Sequence, residues 1–326
     1  MRILVTGGAG YIGSVVADRL LRAGHAVTVL DNLSKGKRQA VPAEAEFVLT
    51  DTGDAQRLDE LFQAGRFDAV MHFAAFIEAG ESMQAPEIYF DNNSARALTL
   101  LRAVLKYKVA RFVFSSTAAV YGEPRRIPIM EDDPLEPTNA YGEAKLMVER
   151  MLSWFHRSHG LRYASLRYFN AAGATCERGE AHQPETHLIP LVLQVALGQR
   201  EAISIYGTNY PTKDGTCIRD YIHVDDLATA HLLALDGLAE HERLVCNLGS
   251  GSGFSVSEIV DVARKVTGKE IPAVEAPRRA GDPAVLVASA EKIRRVLGWN
   301  PQRSGIEEIV RSAWEWHRSH PKGYEV

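Results

Sequence analysis

Tyr141 and Lys145 stand four residues apart, so on a helix a phenol and an ammonium lie one turn apart on the same face. Such a pair can act as acid and base. A phenol with an ordinary pKa of about 10 is a poor base at neutral pH, and lowering it by about three units takes roughly 4 kcal/mol of preference for the phenolate. Two unit charges about 4 Å apart interact by roughly 4 kcal/mol at an effective dielectric of about 20. One lysine is therefore of the right order to make this tyrosine a base. Tyr-x-x-x-Lys also arises by chance on amphipathic helices, so its meaning depends on the elements that position it.

Those elements begin at the first residues. Residues 2–6 form a short apolar run and residues 11–23 an amphipathic helix, joined by Gly7-Gly8-Ala9-Gly10-Tyr11-Ile12-Gly13. Glycines at 7, 10 and 13 allow a tight turn, close approach of a pyrophosphate and close packing of the helix, whose N-terminus faces the anion. A second strand, 26–30, runs into Asp31, 18 residues beyond Gly13. A dinucleotide-binding fold keeps an acid there to accept from the adenosine ribose. A carboxylate at that place repels the extra phosphate of NADP, so the expected cofactor is NAD. Lys35, Lys37 and Arg38 in the following loop are the opposing signal, because they could meet that phosphate.

Further strands are expected at 46–49, 69–73 and 111–115, separated by helical stretches such as 55–64 and 87–106. The alternation predicts an α/β fold with a doubly wound parallel sheet of Rossmann type. Ligands in such sheets sit at the carboxyl ends of the strands, which lines up Asp51-Thr52, Phe73-Ala74-Ala75 and Ser115-Ser116-Thr117 along one cleft. A Pro-rich loop over 121–139 precedes a helix over 141–158, capped by Thr138 or Asn139. Thr117, Tyr141 and Lys145 then share one sheet edge. Beside a nicotinamide, they form a proton relay for alcohol oxidation.

After a strand over 162–169 the alternation weakens. The expected division is an NAD-binding domain over 1–170 and a smaller α/β substrate domain over 171–326. The 326 residues, 46% hydrophobic and 24% charged, have ordinary globular composition. The net charge of -4 and the lack of a basic block argue against a nucleic-acid partner. The apolar run before Gly7 is too short for a signal-peptide core and no stretch reads as a membrane span, so a cytoplasmic setting is expected. Cys176, Cys217 and Cys246 read as reduced thiols. With no Cys-x-x-Cys and no His-rich cluster, no metal is expected. His223 and Asp225 read as a strand end and a helix cap. The stretch 299–316 reads as a closing amphipathic helix with Trp314 and Trp316 as packing.

The ordered motifs TGGAGYIG (6–13), DNL (31–33), HFAA (72–75), GES (80–82), DNN (91–93), FSSTAAVYG (114–122), YGEAK (141–145), LRYFN (166–170), GTCIRDYIHV (215–224), NLG (247–249) and PRRAGD (277–282) resemble the extended short-chain dehydrogenase/reductase family nearly end to end. Within it they are similar to the 4-epimerases of UDP-hexoses. The resemblance implies interconversion of UDP-glucose and UDP-galactose through a transient 4-keto sugar. In this scheme Tyr141 moves the proton, Lys145 lowers its pKa and holds the nicotinamide ribose, and Thr117 bonds the reacting oxygen. It also implies NAD contacts at Gly7, Gly10, Tyr11, Ile12, Gly13, Asp31, Asn32, Asp51, Thr52, Phe73, Ala74, Ala75, Asn92, Thr117, Tyr141, Lys145 and Phe169. UDP contacts are implied at Asn170, His187, Leu188, Ser204, Tyr206, Arg219, Tyr221, Arg279 and Asp282.

Guanidinium groups at 219 and 279 suit a diphosphate, although Asp220 and Asp282 could instead make them surface ion pairs. One departure is Ile77, where many epimerases carry a cofactor-contacting lysine. Related dehydratases follow the threonine with Asp-Glu to supply a second acid and base, and decarboxylases commonly carry a glutamate at the second of these places. This chain has Ala118-Ala119. Epimerisation of UDP-uronic acids or UDP-N-acetylhexosamines stays open, the latter because Leu286 stands where the family's bulky restricting aromatic falls. A non-catalytic NAD sensor is the alternative of another class, though sensors on this scaffold usually lose the tyrosine or lysine. The resemblance finally implies a homodimer through helices near 90–107 and 141–158. Leu98, Leu101, Leu105, Met147, Met151 and Trp154 show the apolar spacing this needs, as an internal core would too.

Overall fold

The computed structural model describes residues 1–279 and 282–324. Arg2–Thr6 (β1), Ala26–Asp31 (β2), Glu46–Leu49 (β3), Ala69–His72 (β4), Arg111–Thr117 (β5) and Arg162–Tyr168 (β6) join Arg243–Leu248 in a seven-stranded sheet. All neighbours are parallel. The spatial order runs β3, β2, β1, β4, β5, β6 and then Arg243–Leu248, so the winding reverses between β1 and β4. A crevice opens at that reversal, beyond the carboxyl ends of the strands.

The strands read as continuous apolar runs because both faces are covered. One face packs under helix Tyr11–Arg22 (α1) and helix Val224–Gly237, with Val15, Val16, Leu20, Leu227 and Leu235 buried. The other packs under helices Ala55–Gly65, Arg96–Lys106 and Ala140–His159, with Phe62, Leu100, Leu101, Val148 and Leu152 buried. A third cluster joins helices Leu188–Ala196, Val256–Thr267 and Ile306–Ser319, Trp316 of the last being buried. Thus the part of the chain after residue 170 builds its own apolar cluster and also returns helices Val224–Gly237 and Glu291–Leu297 and strand Arg243–Leu248 to the large sheet.

The single helix expected over 87–106 is interrupted. Pro86–Tyr89 and Arg96–Lys106 flank a π-helical turn at Phe90–Ala95. Asn93 accounts for the break: its Oδ1 accepts from the Phe76 N–H at 2.8 Å and its Nδ2 donates to the Phe76 carbonyl at 2.9 Å. Straightening the helix would withdraw both bonds from the loop after β4. His223 caps helix Val224–Gly237 through Nδ1, which accepts from the Asp225 N–H at 3.0 Å. Among the described residues no helix is long and apolar enough to cross a membrane.

Candidate active site

The turn after β1 shapes one end of the crevice. Gly7 has φ +74°, and a Cβ there would lie 2.4 Å from the Ala74 backbone nitrogen. A Cβ on Gly13 would lie 2.3 Å from the Gly7 carbonyl oxygen, so α1 could not start this close to the turn with any side chain. Helix α1 begins beyond Gly10 with no side-chain cap and no acid in its first turn. Its free N–H groups and positive end therefore face the crevice. A cavity of about 290 Å³ lies there, lined by every residue expected at NAD, from Gly7 to Phe169.

Asp31 Oδ2 accepts from the Ala9 N–H at 3.0 Å and Oδ1 from the Leu33 N–H at 2.8 Å. Burial pushes its carboxyl up, and these two bonds pull it back. Each oxygen retains capacity to accept from a ribose hydroxyl. The three cations that could have met an NADP phosphate are all engaged. Lys35 pairs with Glu78 at 3.0 Å, Lys37 donates to Gln183 Oε1 at 3.3 Å, and the Arg38 guanidinium stacks on Phe47 at 4.5 Å. The glycine cradle, the open helix end and the acceptor at Asp31 together fit NAD. Asp31→Asn keeps the shape but removes the charge and one acceptor. It should weaken NAD binding about 10–100-fold, the worth of a hydrogen bond to a charged group, as read by calorimetry; unchanged affinity would remove Asp31 from the cofactor site.

At the far end, Asn139 Oδ1 accepts from the Gly142 N–H at 2.8 Å and starts the helix that carries Tyr141 and Lys145. That helix is pinned to β6 by a buried ion pair, Glu149 with Arg167 at 2.6 Å. Lys145 Nζ donates to the Ser115 carbonyl at 2.9 Å and lies 4.9 Å from the Phe114 ring centre. Thr117, at the end of β5, holds the Ala119 N–H at 3.1 Å through its hydroxyl. The predicted trio thus meets at one strand end.

Its electrostatics differ from the simple expectation. Burial pushes the Tyr141 phenol above its ordinary value, the Thr117 hydroxyl draws it back, and Glu78 pushes it further up. Burial also lowers Lys145 to about 7. Dehydration sets both shifts, so each group is moved toward its neutral form.

Of the expected UDP residues, Asn170 and His187 line the cavity. Asn170 Nδ2 donates to the Asp220 carbonyl at 3.1 Å. His187 Nδ1 lies 2.8 Å from Glu180 and 2.9 Å from Glu185. Leu188 and Tyr221 pack in or against the third apolar cluster. Ser204 and Tyr206 lie on strand Ile203–Tyr206, and the Arg279 guanidinium stands 4.1 Å from the Tyr206 ring centre. Arg219 pairs with Asp282. Asp220 is no partner for Arg219, because its carboxylate turns inward to the N–H groups of Ser250, Gly251 and Ala288.

The cavity wall also includes Glu78, Tyr168, Glu180, His182 and Tyr324, which were not expected there. Tyr168 ends β6 and bonds Ser115; the LRYFN stretch pointed near it, whereas the placing of Glu180 and Tyr324 depends on distant packing.

The NAD dependent epimerase/dehydratase family model matches residues 3–249. UDP-glucose 4-epimerase of Streptomyces lividans is 56% identical over 326 residues, 99% of this chain and 98% of that one. A crystal structure of a UDP-glucose 4-epimerase superposes with a TM-score of 0.97 at 52% identity, covering 99% of each chain. The UDP-glucose 4-epimerase of Brucella ovis, solved in complex with NAD, gives 0.93 at 44% identity over 96% of this chain and 97% of that one. With a family match over most of its length, relatives of this likeness and a crevice built for the dinucleotide, the chain belongs to the NAD dependent epimerase/dehydratase family.

Proposed function

We propose that the chain inverts carbon 4 of a UDP-hexose, interconverting UDP-glucose and UDP-galactose, with residues 1–170 serving the cofactor and 171–326 the sugar nucleotide. The carrying observation is one strand end: Thr117 and Tyr141 converge there, and the next two residues are Ala118 and Ala119. A proton can be removed and returned, but no second acid and base follows the threonine to expel water. Glu78, whose charge is felt at Tyr141, is paired to Lys35 and accepts from the Ile77 N–H at 3.1 Å.

NAD, when bound, supplies a hydride acceptor and later a hydride donor. Tyr141 Oη, as the phenolate, takes the proton of the 4-hydroxyl to become the phenol, and gives it back after the 4-keto sugar has turned. Thr117 bonds the reacting oxygen, and Lys145, lowered to about 7 and held by the Ser115 carbonyl, places its amino group at the same strand end. Asn170 in the wall, with Arg219, Arg279 and the expected contacts on strand Ile203–Tyr206, serves the nucleotide. Incubation with UDP-glucose, UDP-galactose, their N-acetyl analogues and UDP-glucuronate, with chromatography of products, tests the reading. UDP-glucose and UDP-galactose should interconvert; no product from either would end it. The N-acetyl pair is included because Leu286, half-buried and packed like Phe169 against the Val120–Leu146 cluster, stands where the resemblance places a bulky restricting aromatic.

We also propose a homodimer formed through the helix Ala140–His159. Trp154 is 63% exposed and Met147 36%, whereas Leu101 is buried in the chain's own core with Leu105 and Met151 against it. Light scattering should give a dimer, and Trp154→Glu a monomer; a monomer at every concentration of the parent protein would rule the interface out. The three cysteines are free thiols, in keeping with a cytoplasmic enzyme of galactose metabolism.

A further inference from the structure

The segment leading into helix Leu188–Ala196 carries ligand-type side chains that the proton relay does not use. Glu180, His182, Glu185 and His187 each offer an atom, and the four atoms lie within 4.8 Å of one another. Both imidazoles turn Nδ1 toward Glu180 Oε1, at 3.0 and 2.8 Å, and His187 Nδ1 also meets Glu185 Oε1 at 2.9 Å. The side chains of Glu180 and Glu185 are 5% and 6% exposed. Among the described residues the ion-pair partners recorded for these carboxylates are the two histidines, so no lysine or arginine neutralises them.

Two nearly dehydrated carboxylates with two imidazoles complement a divalent cation in charge. The donor types narrow the choice, because Mg²⁺ and Ca²⁺ prefer oxygen throughout, whereas two nitrogens and two oxygens suit Zn²⁺. With bonds of about 2.0–2.1 Å, a tetrahedral ion holds its ligand atoms about 3.3 Å apart. The three contacts of 2.8–3.0 Å would open by a few tenths of an ångström, and the wider separations, up to 4.8 Å, would close by about 1.5 Å on ion binding. Glu185 is already oriented, since its Oε1 accepts from the N–H groups of Thr186 at 2.7 Å and His187 at 2.8 Å, which leaves Oε2 to bind the ion.

We propose that Glu180, His182, Glu185 and His187 form a tetrahedral site for a zinc-class divalent ion, which staples segment 180–187 along the cavity wall. The sequence alone does not point to this segment, because Glu-x-His-x-x-Glu-x-His matches no familiar zinc spacing and the convergence depends on the path of the segment. The site does not depend on the epimerase reading.

Untagged, chelator-treated full-length protein titrated with Zn²⁺ by calorimetry should bind one equivalent and show a raised melting temperature, with no binding of Mg²⁺. His182→Ala should weaken the affinity at least about 10-fold. Co²⁺ on the unmutated protein should give the intense visible bands of a tetrahedral centre, a readout that does not require the variant to fold. Absence of one-equivalent Zn²⁺ binding, unchanged affinity in His182→Ala, or only the weak spectrum of octahedral Co²⁺ would overturn the site. Epimerisation of UDP-glucose by the chelated protein is measured separately, so failure of either reading is seen on its own.

Discussion

Tyr141→Phe should lower kcat for UDP-glucose by about 10²–10⁴-fold, the range for loss of a positioned general acid and base. The change removes only the Oη that faces Thr117, while the ring continues to fill its half-buried place at the start of the helix. Folding and NAD binding should therefore survive, as should KM, because the nucleotide contacts lie on other elements. A loss confined to kcat identifies an interaction made in the transition state rather than in binding. Tyr141→Phe protein turning over at the parent rate would leave the proposed chemistry without its base.

Lys145→Met should abolish most activity and yet make the chain without cofactor more stable. Lys145 is 3% exposed, and burial lowers it from 10.5 to about 7. Between these values the unfolded chain binds a proton that the folded chain does not, so stability rises with pH across that window. Below about pH 7 both states carry the proton, and the buried cation then costs on the order of 5 kcal/mol at about 1.4 kcal/mol per pH unit. Methionine removes that cost, less the bond to the Ser115 carbonyl. Urea unfolding at pH 6 should show the variant more stable by about 2–4 kcal/mol, the advantage shrinking from about pH 7 upward and vanishing only above about pH 10.5, where the parent's lysine is neutral in both states. Equal stability at every pH would mean that the site does not hold a strained charge. The trade of stability for activity is expected where a fold keeps a charge for chemistry.

The elements that local sequence controls were the most legible. The strand, glycine turn, α1 and the strand ending in Asp31 are contiguous, and each step has a short-range steric or electrostatic cause. Thr117 and Tyr141 could be brought together on paper because a parallel sheet fixes which strand ends share an edge. What escaped depended on distant partners. The break before Arg96 follows from Asn93 reaching the loop at Phe76, and the return of Arg243–Leu248 to the sheet from pairing with β6. Asp220 looked like a partner for the adjacent Arg219, but in a strand neighbouring side chains point to opposite faces, and its carboxylate serves buried N–H groups instead. The shift of Lys145 was missed for a different reason, since attraction can be reckoned from spacing while dehydration requires the burial that only the folded chain provides.

The central claim is that one hydrogen leaves carbon 4 and returns to the same carbon on its other face. UDP-galactose deuterated at carbon 4, converted by the holoenzyme in ordinary water, tests this most directly. The account predicts UDP-glucose with its deuterium retained at carbon 4, read by mass spectrometry and proton resonance. Replacement of that deuterium by solvent hydrogen would contradict it.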